Sequence, residues 1–471
     1  MPAPSAEVIA RALSAIEPVS VAPPVVGRAP VHTVYGGAHL FRHDTSAKLG
    51  KVALAALEDY APDGLLLARA LGLPGHETLP PERDDVVVLQ EAHSRDPRSL
   101  AGKNRGAWLA FEVHARVTSK LAREPVEDLR IDFEDGYGHR SDEEEDGHAD
   151  AAAREVAMGL ERGTLPPFLG IRPKSLALQT RDRSVRTLIR FFSTLHDAAP
   201  GRLPPSFVVT LPKVSRPDEV AALASLLDAI ESANGLPAGA IGVELMIETP
   251  AAVIAPSGHV AARSLVSAGR GRVRSVHLGA YDLTASLDVA AGHQALSHPI
   301  AHAARVLLSL SLAGTGVAVS DGATTELPIG PHRGAAKGTD AFEANRAAVF
   351  RGWRRAHRDV TNALSMGIYQ GWDLHPAQLV SRHASVCAFF LVSQDAAGKR
   401  LRAFVDDAAR ARSHGSAFDD AATGQGLLAF FLRGLSAGAF SEHEITAHTG
   451  LSADELRARS FAEIVRARAA G

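Results

Sequence analysis

Short apolar runs recur along the chain, and each closes on a polar signature: RIDFEDG, LGIRPKS, FVVTLPKV, GVELMIET, VHLGAYD, GVAVSDG and GWDLHP. Their marker residues are Asp132, Arg172, Lys213, Glu248, Asp282, Asp321 and His375, spaced 34 to 54 residues apart. A gap of that length fits one strand, one helix and two loops. Between the runs, helices are predicted over 146–163, 180–198, 217–234, 258–268, 297–313, 340–366 and 377–394. Strand–helix alternation predicts a parallel sheet. HTVYGG, from His32, is a further strand, which brings the count to the eight that a closed TIM (β/α)8 barrel needs. An open doubly wound sheet is the alternative. No GxGxxG after a strand and no GxxxxGK[ST] was found, so nucleotide-binding folds lose ground. A barrel of this kind keeps its chemistry at the C-terminal strand ends, where the polar markers fall.

Three segments follow from the same pattern: a lead-in over residues 1–30, a barrel over 31–394 and a helical extension over 395–471. The lead-in reads as a short helix and a Pro-rich stretch. After HTVYGG, a helix in SAKLGKVALAALEDYAP ends at Pro62. Residues 74–106 are rich in charge and proline and read as an insertion, with VVVLQ as a short extra strand. AWLAFEVHARVTSKLAREP then reads as a helix. HRSDEEEDGHAD reads as a solvated loop entering a helix whose N-terminus suits acids. In the extension, FDDAATGQGLLAFFLRGL is an amphipathic helix, and Ser452 with Glu455 forms a capping box. LLAFFLRGL is too apolar to stay exposed, so it is expected to pack on its own barrel or on a second subunit.

Composition changes the picture in three ways. At 471 residues the chain exceeds the ~250 of a bare barrel, which leaves room for the insertion and the extension. Lys+Arg 50 against Asp+Glu 53 gives no basic excess for nucleic acid. The single cysteine, Cys387, sits in an apolar run and reads as a buried, inert thiol. The N-terminus lacks a basic region followed by a long apolar core, so no signal peptide or membrane span is expected there, and a cytoplasmic location is.

The markers also carry chemistry. Glu248 and Asp282 close adjacent strands and can converge on one hard cation, Mg²⁺ or Mn²⁺; local capping is the alternative. The Arg172 fork can hold a substrate carboxylate or enolate, and Lys213 can add a second positive charge. Either cation could instead pair with the acids of DFED. Asp132, Glu134 and Asp135 crowd one strand end and need cations nearby. Strand alternation places Asp132 and Glu134 on one side and Asp135 on the other. One of these acids can orient Arg172, and another can act as a base. His375 can serve as an acid–base residue or make a structural hydrogen bond.

The ordered set IDFEDG, IRPK, LPKV, MIETP, LGAYDL and DLHPAQ, over about residues 30–385, resembles the superfamily of HpcH/HpaI aldolases and citrate lyase β-subunits, which is also similar to the malate synthase barrel. The longer motifs VSDGATTELPIG and YQGWDLHPAQLVSRHA and the DELRARSF tail resemble an uncharacterised, longer branch. The resemblance implies a TIM barrel and divalent-metal-dependent carbon–carbon lyase or aldolase chemistry on a 2-oxo acid or acyl substrate, acyl-CoA among the candidates. By motif, Glu248 and Asp282 would be the metal ligands, and Arg172 would bind an enolate or 2-oxo oxygen. Backbone N–H groups around Gly279 and Ala280 would face a substrate carboxylate, with the DFED acids close by. Lys213, Asp321 and His375 complete the expected substrate-binding set. The implied assembly is a homo-oligomer. This chain reads LHPAQ where citrate-lyase-like members have IHPRQ, and it lacks a match to the C-terminal catalytic module of malate synthase. Phosphoenolpyruvate-type or malate-synthase-like enolate chemistry, or a non-catalytic metabolite-binding barrel, are the other readings.

Overall fold

A computed structural model describes residues 28–80, 83–413 and 421–470. The short helix expected within residues 1–30 lies outside the described residues. Eight strands form a closed barrel in sequential order. They are β1 (His32–Gly37), β2 (Asp128–Asp132), β3 (Phe168–Arg172), β4 (Val208–Leu211), β5 (Gly242–Ile247), β6 (Val273–Leu278), β7 (Ala318–Ala323) and β8 (Gln370–Asp373). Every neighbouring pair is parallel, and β1 closes on β8 through His32–Gly371 and Val34–Asp373. The open-sheet alternative is thereby removed.

Alternation along each strand sorts its residues. The outward set (Ile131, Ile171, Val209, Val243, Val276) is apolar and buried against the surrounding helices. The inward set is polar: Asp128, Arg130, Thr210, Glu244, Ser275 and His277 meet inside the barrel. Arg130 Nη2 lies 2.7 Å from Glu244 Oε2, Thr210 donates to Glu244 Oε1 at 2.7 Å, and Ser275 donates to Glu244 Oε2 at 2.9 Å. Asp128 takes up the other side of the Arg130 guanidinium. TIM-barrel interiors are ordinarily filled by bulky branched apolar side chains, so this one is held by charge pairing instead.

The helices fall near their expected positions, including Asp142–Arg162, Arg181–Ala198, Pro217–Ala233, Pro299–Leu312 and Asp340–Ser365. The charged run before residue 150 opens the first of these with a full capping box, Ser141 with Glu144. Two features differ from the sequence reading. VVVLQ is not a strand; it lies within the helix Arg83–Arg95. It is followed at once by the helix Pro97–Lys103, and Val87 and Val88 remain exposed. Short apolar runs do not distinguish strand from helix by periodicity alone, and here no neighbouring edge was available to pair with them. The second feature is the helix Gln378–Ser413, 36 residues long, which runs unbroken through residue 394. It packs beside the helices Arg105–Arg123, Asp340–Ser365 and Phe461–Ala470 and so ties the extension to the barrel wall. The apolar run LLAFFLRGL lies in the helix Ala421–Ser436, where Leu428 and Phe431 are fully buried. It packs on this chain's own long helix, with Phe390, Phe430, Phe431 and Phe440 in mutual ring contact. Ser452 and Glu455 form the expected capping box. Cys387 is buried among these rings and helices, which pushes its thiol up to about 11. Among the described residues, no helix is long and apolar enough to cross a membrane.

Candidate active site

Five adjacent strand ends supply one continuous arc of charge. β2 leads into Asp132, Glu134 and Asp135, and β3 ends on Arg172. Lys213 lies two residues past β4, and Glu248 follows β5. Asp282 sits in the first turn of the helix Ala280–Ala285 after β6. The short elements explain the close grouping. Each of these strands hands its chain to a helix within ten residues, and β5 and β6 within three, so side chains at the switch point project into the barrel mouth.

Arg172 is the anchor. Its side chain is 1% exposed, and Asp132 accepts from it through both oxygens, Nε to Oδ1 and Nη2 to Oδ2, each at 2.7 Å. The guanidinium lies over the Tyr35 ring at 4.6 Å and the Trp372 ring at 5.5 Å, so two aromatic faces from β1 and β8 support it. Burial works against its charge, but Asp132 outweighs burial and raises the guanidinium pKa further. Asp132 is itself fixed by the turn after it, whose N–H groups at Glu134 and Gly136 donate to its two oxygens at 3.0 and 2.8 Å. A Cβ on Gly136 would stand 2.7 Å from Asp132 Oδ2, so the turn closes around the carboxylate only with glycine there.

With Nε and Nη2 committed, Arg172 turns Nη1 toward Glu134 (3.3 Å) and Asp135 (3.4 Å). The expected alternation of Asp132 and Glu134 against Asp135 does not hold. The strand ends at Asp132, the chain enters a turn, and Glu134 and Asp135 both reach the same pair of cations. Lys213 Nζ lies 2.5 Å from Glu134 Oε1 and 3.4 Å from Asp135 Oδ1. Burial pushes Glu134 up, and its contact with Asp135 adds to this against the charge of Arg172. Burial also works upward on Asp135, but the contact with Glu134 and the charges of Arg172 and Lys213 outweigh it and hold Asp135 low.

Glu248 is 3% exposed. Its Oε1 accepts the Lys213 backbone N–H at 2.6 Å, and its carboxyl lies within hydrogen-bonding reach of Asp282. Burial, reinforced by Asp282 against the pull of Lys213, pushes Glu248 up to about 8. Gly279 makes room for it, because a Cβ there would meet Glu248 Oε2 at 2.7 Å. Two facing carboxylates, one of them buried and driven toward its neutral form, are a donor set that a hard cation would relieve. Among the described residues, no group of three or more His, Cys, Asp or Glu side chains is arranged to hold a metal ion. The fit is therefore to a cation that takes two protein carboxylates and completes its sphere with water and substrate oxygens, as Mg²⁺ commonly does.

Two expected substrate-binding groups, Asp321 and His375, stand apart from this arc. Asp321 points outward from β7, where Arg305 Nη1 of the helix Pro299–Leu312 lies 2.8 Å from Oδ2. Sequence spacing marked the strand end but not which face the side chain takes; Ser320 pairs with Gln370 and, past an irregularity in register, Ala323 pairs with Trp372. His375 accepts the Ala377 N–H at 3.1 Å through Nδ1 and so caps the start of the long helix; burial pushes its pKa down. The Gly279 N–H is spent on Ile247 O at 2.9 Å as part of the sheet, so it does not face a substrate. Ala280 opens a helix, where backbone N–H groups lack intrahelical partners. Conversely, Tyr35 and Trp372 were not singled out from the sequence, although both lie in quoted strand motifs at inward positions.

No curated protein sequence matches the chain. Among solved structures, it is similar to a citrate lyase from Burkholderia xenovorans LB400, with TM-score 0.46 and 19% identity over 72% of this chain and 92% of that one. The magnesium/glyoxylate complex of Haloferax volcanii malate synthase gives TM-score 0.42 and 15% identity over 93% and 97% of the two chains. The citrate lyase beta subunit from M. tuberculosis, complexed with oxaloacetate and magnesium, gives TM-score 0.35 and 18% identity over 58% and 93%. Residues 23–464 match the sequence profile described as "Domain of unknown function (DUF6986)", and the chain therefore belongs to that family.

Proposed function

We propose that this protein is a divalent-metal-dependent carbon–carbon lyase or aldolase acting on a small 2-oxo acid or acyl substrate. The observation that carries the reading is the facing pair Glu248 and Asp282, set beside two cations at one barrel mouth. Glu248 and Asp282 would hold Mg²⁺ or Mn²⁺, which when bound supplies Lewis-acid polarisation of a substrate oxygen. The chain's own residues do the rest. Arg172 presents Nη1 toward the mouth while Asp132, Tyr35 and Trp372 fix its plane, so the charge is preorganised where negative charge develops on an enolate oxygen. Its burial keeps water from screening that charge. Lys213, on a flexible stem, can bind a substrate carboxylate. Glu134, whose pKa burial raises and which lies between Arg172 and Lys213 at the mouth, is the candidate acid–base group. The site uses no group from β7 or β8 except the Trp372 face.

The test is a panel of 2-oxo acids, their aldol adducts and acyl-CoA thioesters, assayed for bond cleavage and formation with MgCl₂ or MnCl₂. Turnover that requires the metal and disappears in Glu248→Gln supports the reading. Metal-independent turnover, or full activity of Glu248→Gln, rejects it.

A further inference from the structure

Lys213 is placed oddly for a residue that only pairs with a neighbour. Its backbone is left-handed, with φ +52°, a conformation that side-chain-bearing residues adopt at a cost. That geometry points the backbone N–H at Glu248 and brings the side chain back over the mouth. Nζ then lies 2.5 Å from Glu134 Oε1, 3.4 Å from Asp135 Oδ1 and 3.3 Å from Asp282 Oδ2. Three acids from two separate strand ends, those of β2 and β6, are thus gathered around one ammonium. Asp282 is shared between that ammonium and the carboxyl of Glu248.

A cation held by Glu248 and Asp282 would sit against the same Asp282 carboxylate. Two cations on one carboxylate oppose each other strongly at such separations. The two positive groups of the mouth differ in freedom to move. Arg172 is buried and clamped by Asp132 and two rings, whereas the Lys213 side chain is 39% exposed on a flexible four-carbon stem. We propose that Lys213 is a built-in counter-ion standing in for the divalent cation, and that metal binding displaces its ammonium and frees it to take a substrate anion. This rests on the reading that Glu248 and Asp282 hold the metal. It predicts an order, metal before anion, and a reciprocal coupling in which each tightens the other.

The probe is MnCl₂ alone, titrated into the full chain with the free ion counted by electron paramagnetic resonance. Lys213→Met keeps the stem and removes the charge, and its backbone strain equals that of the wild type. It should bind Mn²⁺ on the order of tenfold more tightly, the scale of one unit charge removed at this range in a partly solvated site. Lys213→Arg keeps the charge and should bind no more tightly than wild type. Independently, the wild-type protein is labelled with an amine-reactive reagent and read by mass spectrometry. Lys213 should label slowly in EDTA and several-fold faster in saturating MgCl₂, while Lys174, paired with Glu145 at 2.8 Å, stays constant. Unchanged or weaker Mn²⁺ binding by Lys213→Met overturns the proposal, as does Lys213 labelling that ignores the metal. If Lys213→Met does not fold in EDTA, the labelling alone decides. A wild type that takes up no Mn²⁺ defeats the metal-site reading itself. Wild-type binding abolished by Glu248→Gln, with no effect of Lys213→Met, defeats only the role of Lys213.

Discussion

Replacing Glu248 by glutamine should stabilise the metal-free protein and abolish its stabilisation by metal. Burial, with Asp282 nearby, moves this carboxyl from 4.5 up to about 8 in the folded chain. The sign follows from linkage. A group with a raised folded pKa contributes stability that is complete below its unfolded pKa and is lost as pH rises through the folded one. Metal-free wild type should therefore weaken steadily between about pH 4.5 and 8. At 1.36 kcal/mol per pKa unit, the loss is about 3 kcal/mol at pH 7 and about 5 kcal/mol above pH 8. Glutamine is neutral throughout and can still accept the Lys213 N–H through its amide oxygen, so Glu248→Gln should escape that loss. In EDTA the two proteins should differ by less than about 1 kcal/mol at pH 5, and the variant should lead by about 4 kcal/mol at pH 7.5. Saturating MgCl₂ should erase that lead, because a ligand at about a thousand times its Kd adds about 4.1 kcal/mol to the protein that binds it. Urea unfolding followed by tryptophan fluorescence is the assay, with the buried Trp353 and Trp108 as reporters. Metal titrated calorimetrically at pH 7 in buffers of different ionisation heat should release close to one proton, and none above pH 9. If Glu248→Gln is the weaker protein in EDTA at pH 8, the carboxylate is a structural partner of Lys213 and the crowded-pair argument is wrong.

Arg172→Lys should lower kcat/KM on the true substrate by about 10²-fold or more, since an ammonium cannot keep both contacts to Asp132 and still present a fixed charge to the mouth; near-normal kcat/KM would make the arginine structural. Glu244→Gln should destabilise the fold by about 3–5 kcal/mol in urea, because Arg130 is left buried without its partner in the barrel interior; a change below 1 kcal/mol would show that water or Asp128 suffices. Truncation before residue 421 should expose the Phe390 face of the long helix and yield an aggregating protein by light scattering; a soluble, fully active product would make the extension dispensable.

How much of this could be read from the sequence varies with the kind of signal. The barrel was legible because parallel strands buried on their outer faces repeat as short apolar runs, and the run ends fell at a βα spacing. The arc from Asp132 to Asp282 was legible for the same reason, since five neighbouring strands each end on a charged residue. What the spacing did not carry was direction. Asp321 occupies the same kind of motif position as the others, yet one step along β7 turns it outward to Arg305. Glu134 and Asp135 were assigned by strand alternation past the point where the strand had ended. VVVLQ looked like a strand because β-branched residues favour one, but a strand needs an edge to pair with, and the closed barrel offers none.

The groups missed altogether were the ones that act on the site from below. Tyr35 and Trp372 bear no charge and sit in the first and last strands, 337 positions apart in sequence, so no local pattern connects them. Barrel closure alone makes them neighbours, with ring centroids 4.4 Å apart beneath Arg172. The polar interior is equally non-local. Asp128 and Arg130 on β2, Thr210 on β4, Glu244 on β5 and His277 on β6 each look like an isolated polar residue in an apolar strand. Only their inward register shows that they satisfy one another. That interior bears on the chemistry above it. A floor of paired, hydrogen-bonded charges holds β2 and β5 in one register, with Glu244 four residues below Glu248 and Arg130 two below Asp132. The two carboxylates that define the mouth, one clamping Arg172 and one facing Asp282, are thus set at a fixed separation by an ion pair that touches neither.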